Sequence, residues 1–86
     1  MIYTQLTIRH HRRKPGYISV HYQGTANEPG LGKCSTAGLL CEIHRLDGGF
    51  VVMDPIARKP IRIEPTPESL ADWLGEHGAP METVTV

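Results

Sequence analysis

Side chains alternate between apolar and polar along most of this chain, and only one segment repeats at the helical period. Ile2, Thr4, Leu6 and Ile8 alternate with Tyr3, Gln5 and Thr7, the period-two signature of a half-buried strand. Ile18, Val20 and Tyr22 share one face of a second run, with Tyr17, Ser19 and His21 on the other. The intervening Arg9-His10-His11-Arg12-Arg13-Lys14-Pro15-Gly16 ends in a turn dipeptide, which predicts a β-hairpin with a basic tip. Leu39, Cys41 and Ile43 alternate with Leu40, Glu42 and His44 as a third strand. Asp47-Gly48-Gly49 is a hairpin turn signal, and Phe50 to Met53, apolar throughout, predicts a short central strand. Asp54-Pro55 and Lys59-Pro60 bracket a turn before a fifth strand at Ile61 to Glu64.

A helix is predicted over 67–77. Thr66 caps it, and Pro67 occupies the first position, where a missing N–H costs nothing. Glu68 complements the helix dipole. Leu70, Trp73, Leu74 and His77 form one apolar stripe, and Gly78 and Pro80 end it. Gly24 to Gly32, rich in Gly and with Pro29 and Asn27, reads as loop. The tail 81–86 is β-prone and either adds an edge strand or hangs free. The fold class expected is α+β: one domain over 1–86, an antiparallel β-meander of four to five strands with one C-terminal helix packed on one face. Trp73 is the expected anchor between the layers.

The 86 residues contain 40% hydrophobic and 21% charged side chains, a composition that excludes wholesale disorder. No apolar run approaches the length of about 18 needed to cross a bilayer, and the first residues lack the pattern of a signal peptide. A cytoplasmic location is expected, and Cys34 and Cys41 are expected as reduced thiols.

Nine cationic and nine anionic side chains cancel, but unevenly. Residues 1–34 carry Arg9, Arg12, Arg13, Lys14 and Lys33 against Glu28. Residues 61–86 carry Glu64, Glu68, Asp72, Glu76 and Glu82 against Arg62. Folding does not require such separation, so it points to charged faces for a partner. The basic tip, with Tyr3, Tyr17 and Tyr22 nearby, has the residue types that contact phosphates and bases. Glu68, Asp72 and Glu76 are spaced by four and stack as an acidic ridge opposite the apolar stripe, with Glu64 extending the line. Such a ridge suits docking on a basic groove.

Sites for chemistry are not expected. Cys34, Cys41 and His44 form C-x6-C-x2-H, with His10, His11, His21 and His77 as further donors. The spacing lacks the tight cysteine knuckle of structural zinc sites, and on a strand Cys41 and His44 point to opposite faces. Gly30-Leu31-Gly32-Lys33 lacks the strand-to-helix context of a phosphate loop. No metal, cofactor or catalytic residue is expected, and the chain is read as non-enzymatic.

A short, neutral, motif-free α+β domain with a sheet and one ESLADWL helix (Glu68 to Leu74) resembles in type the small inhibitors of phages and mobile elements, the anti-CRISPR proteins among them. The resemblance carries over no residue roles. It implies a stoichiometric inhibitor that binds a host CRISPR-Cas or other nucleic-acid-handling complex. The contact residues expected are Arg9, Arg12, Arg13, Lys14, Glu68, Asp72 and Glu76. Two other classes remain open: a nucleic-acid-binding module using the 9–14 hairpin, and a homodimeric regulatory or structural domain.

Overall fold

The computed structural model describes residues 1–86 and has an α+β fold. The order along the chain is β1 (Ile2–His10), β2 (Tyr17–Glu28), β3 (Gly32–Leu46), β4 (Gly49–Met53), β5 (Pro60–Glu64), α1 (Pro67–Gly75) and β6 (Met81–Thr85). All strands join one sheet in the order β5-β4-β3-β2-β1-β6. The first five pair antiparallel, as the alternation predicts. The tail is a sixth strand, and it pairs parallel to β1, so the sheet is not a pure meander. A parallel pair needs a crossover connection, and α1 supplies it.

The segment 24–32 is mostly strand rather than loop. β2 runs on to Glu28 and β3 begins at Gly32, so only Pro29, Gly30 and Leu31 turn the chain. Backbone pairing continues here because a ladder needs N–H and C=O groups, not apolar side chains. Ala26 to Cys34 extends past β1 and β4 as a two-stranded ribbon, the far end of the long β2–β3 hairpin along which the molecule reaches 48 Å. Gly24 sits inside the sheet where β1 crosses close: a Cβ there would lie 2.6 Å from the Ile2 carbonyl oxygen.

β4 is interior, flanked by β3 and β5, yet it buries only Phe50 and Val52. Val51 and Met53 reach the opposite, uncovered face and stay partly exposed. The helix begins as its sequence directs. Thr66 Oγ1 accepts from the Ser69 N–H at 3.0 Å, and Ser69 Oγ accepts from the Thr66 N–H at 3.3 Å, a reciprocal cap. It ends at Gly75, two residues before the predicted end, because Glu76 and His77 close on carbonyls in the last turn and Gly78 takes φ +76°.

Leu70 and Leu74, not Trp73, are the buried anchors: 7% and 3% exposed, against Val20, Cys41, Ile43, Phe50 and Val52. Trp73 is half-buried at the edge of this cluster. Its ring meets His77 edge-on at 5.1 Å, His77 meets Tyr3 at 5.6 Å, and Tyr3 meets Tyr22 at 5.5 Å. Gly38 lets the Tyr22 ring lie against β3, since a Cβ there would approach the ring carbons to 3.1 Å. Chemical unfolding checks this ranking. Leu74→Ala should cost about 2–5 kcal/mol and exceed the cost of Trp73→Ala; the reverse order would show that the ring carries the interface.

Candidate interaction surfaces

The basic tip is the turn between β1 and β2. The Lys14 N–H donates to the His11 carbonyl at 3.2 Å and the Tyr17 N–H to the Lys14 carbonyl at 3.1 Å. The Arg12 N–H donates to the Val86 carbonyl at 2.9 Å, tying the tip to the end of the chain. Arg9, Arg12, Arg13 and Lys14 are all exposed. None of them is within 4 Å of a carboxylate, because the only ion pair in the molecule joins Arg62 and Glu64.

The sheet has no layer over the face that carries Arg9, Tyr17, Ser19, His21, Glu42 and His44. Polar side chains finish this face themselves. Ser19 Oγ lies 2.8 Å from His11 Nε2 and 3.1 Å from His21 Nε2, and the two imidazoles leave Ser19 only 3% exposed. A hydroxyl can donate to one ring and accept from the other, so both rings are fixed by one small side chain. Tyr17 sits beside them, with the Lys14 ammonium 4.2 Å from its ring centre, His11 at 4.8 Å and His44 at 5.4 Å. Burial first, then the nearby Glu42 carboxylate, pushes the Tyr17 phenol above its ordinary range. Of the three tyrosines grouped with the tip by sequence, only Tyr17 lies beside it. Tyr3 and Tyr22 belong to the helix side.

The ridge Glu68, Asp72 and Glu76 is exposed along the outer surface of α1. Glu64 does not extend it. Its side chain faces inward at 7% exposure and takes a hydrogen bond from Arg62 Nε. The Arg62 hydrogen bond, then the Ser69 hydroxyl, holds the Glu64 carboxyl below the usual carboxylate range. The Arg62 guanidinium also lies 5.6 Å from the centre of the Trp73 ring. The one cation of the acidic segment is thus paired with Glu64, and the outer ridge keeps its charge.

The thiols lie far apart in environment. Cys41 is in the core, where burial and then Glu42 push its thiol up to about 12, so no thiolate is available at neutral pH. Cys34 is partly exposed on the ribbon. His44 lies on the face opposite Cys41, and no group of three or more His, Cys, Asp or Glu side chains converges as a metal site. No helix is long and apolar enough to cross a membrane.

No family model, curated protein or solved structure matches this chain.

The serine–histidine cluster is the feature that sequence reasoning missed. Its signal was present in part, since Tyr17, Ser19 and His21 share one strand face, but His11 comes from the turn. His21 has a testable role. Burial first, then Arg9 and His11, lowers its pKa below the ordinary 6.5. Its stabilising contribution is therefore complete above pH 6.5 and is lost as pH falls through that value towards the folded-state pKa. Melting temperature should decline on acidification across this window, and His21→Gln, which keeps a polar partner for Ser19 but does not titrate, should flatten the decline. An unchanged acid slope in the variant would exclude His21 as its source.

Proposed function

We propose that this chain is a non-enzymatic protein-binding inhibitor, phage- or mobile-element-borne, that attaches to a host CRISPR-Cas or other nucleic-acid-handling complex through its charged surfaces. One observation carries the reading. Arg9, Arg12, Arg13, Lys14, Glu68, Asp72 and Glu76 are all exposed, and none makes an ion pair within the molecule. Unpaired charges of one sign in one place leave a local field that whole-chain neutrality conceals, and such fields steer association. The three ridge carboxylates span two helical turns, about 12 Å, a spacing suited to a basic groove that otherwise holds nucleic acid.

A second reading, a small nucleic-acid-binding module, has its own supporting observation. Tyr17, His11 and His44 cluster on the uncovered face beside Lys14 and Arg9, and aromatic side chains next to cations suit single-stranded bases and phosphates.

Charge reversal separates the two. Asp72→Lys with Glu76→Lys should leave melting almost unchanged. It should slow association with a partner complex recovered from bacterial lysate by roughly tenfold at low salt, and less at high salt. Arg12→Glu with Arg13→Glu should instead abolish binding to labelled single strands if the second reading holds, with log affinity falling linearly in log salt. If neither pair of reversals alters association with the recovered partner, the charged surfaces are not the contact.

A further inference from the structure

The two edges of the sheet are built differently. β5 is bracketed by Pro60 and Pro65, its pairing with β4 slips between Val52 and Met53, and it carries the Arg62–Glu64 ion pair. Proline, charge and irregularity are the usual means of blunting an edge. β6, Met81-Glu82-Thr83-Val84-Thr85, has no proline, no cation and no register slip, and most of its residues are β-branched.

Hydrogen bonding at the ends of β6 fixes which way its backbone faces. The Leu6 N–H donates to the Pro80 carbonyl at 2.9 Å, the Val86 N–H to the His10 carbonyl at 2.8 Å, and the Arg12 N–H to the Val86 carbonyl at 2.9 Å. In a parallel ladder a residue turns its N–H and C=O to the same side, and successive residues alternate. Pro80 and Val86 face β1, so Glu82 and Val84 do too. Met81, Thr83 and Thr85 therefore turn their N–H and C=O outward, and all are exposed.

We propose that β6 is a homodimerisation edge, on which a second copy of this chain pairs antiparallel with the two-fold axis at Thr83. The strand matches itself, which favours a second copy as the occupant. A two-fold at Thr83 sets Thr83 opposite the partner's Thr83 and Met81 opposite the partner's Thr85. Outward-facing residues then meet only outward-facing residues, and every free N–H and C=O of this edge gains a partner. On the helix side threonine lies beside threonine, a favourable cross-strand pair. On the other side Glu82 lies beside the partner's Val84, so no like charges are opposed. The sheet runs on through both copies with the two helices on one side. Such an edge contact buries less than about 1,200 Å², the class of weak, reversible association. It does not depend on the charged surfaces proposed above.

Sedimentation across a wide concentration range, up to millimolar, tests it with two variants, and cross-linking with two more. Wild type should show a reversible monomer–dimer equilibrium. Thr83→Pro removes only an outward N–H, which an edge strand tolerates, and Thr83→Lys sets two ammonium groups opposite each other. Both should be monomeric throughout, with wild-type melting; should the proline variant fail to fold, the lysine variant decides. Opposed hydrogen-bonded residues have Cα atoms about 5.5 Å apart, within disulfide range. Thr83→Cys in a Cys34→Ser background should therefore cross-link on mild oxidation at least tenfold faster than Ile63→Cys on the other edge. A wild type that stays monomeric at the highest concentration would overturn the proposal. So would a dimer that survives the folded Thr83 variants, or equal cross-linking from both edges.

Discussion

One nine-residue helix cannot cover a six-stranded sheet, and the rest of the molecule follows from that mismatch. Strands lie about 4.8 Å apart and a helix with its side chains is about 10 Å across, so α1 covers roughly two strands. Its backbone lies closest to β4 and β5, and Leu70 and Leu74 reach from it to core residues of β3 and β2. The core cluster joins Leu70 and Leu74 to Val20, Cys41, Ile43, Phe50 and Val52, and outside it only Leu6 of β1 is a buried apolar side chain. Beside the helix, Ile8, Ile18 and Met81 floor an open groove of about 420 Å³. The opposite face has no cover at all.

Each uncovered region is completed in a different way. Opposite the helix, Ser19 is sealed by two histidines and Tyr17 by Lys14, so polar and aromatic side chains do what a second layer would otherwise do. Towards the end of the helix, the line Trp73, His77, Tyr3 and Tyr22 carries packing across the sheet past the reach of the leucines. At β5, proline and an internal ion pair occupy the edge. The charges left over, at the tip and along the ridge, have no internal partner to satisfy. Their exposure and the bare β6 edge are consequences of the same shortage of cover, and both are available to other molecules.

The sequence made the strands legible because alternation reports directly which side chains face a core, and Thr66 with Pro67 marked the helix start. It misled where composition stood in for backbone pairing. The glycines of 24–32 suggested a loop, but Gly24 pairs within the sheet, at a position where β1 leaves no room for a Cβ. Trp73, the one large aromatic of the apolar stripe, is the anchor the sequence suggests; the helix turns it towards β5 and Arg62 and gives the centre to the leucines. Glu64 seemed part of the ridge by spacing, yet it belongs to a strand, where the period is two and its side chain points inward. The parallel docking of 81–86 was not legible, since strand propensity does not specify a neighbour. The tip and ridge residues were legible as clusters because charge patterning needs no tertiary information. What they bind is a matter for the partner.

If helix cover decides what is core and what is free, stability must follow the helix and not the sheet. Residue-resolved amide hydrogen exchange measures this most directly, because it reports the opening energy of each segment. The amides of Val20, Cys41 and Ile43, in the core cluster that Leu70 and Leu74 of α1 close, should exchange only on global unfolding. Hydrogen-bonded amides of the ribbon between Ala26 and Cys34, in the same two strands but outside its reach, should exchange orders of magnitude faster by local opening. Equal protection along the whole β2–β3 ladder would contradict the account, for it would show that strand pairing alone sustains this fold.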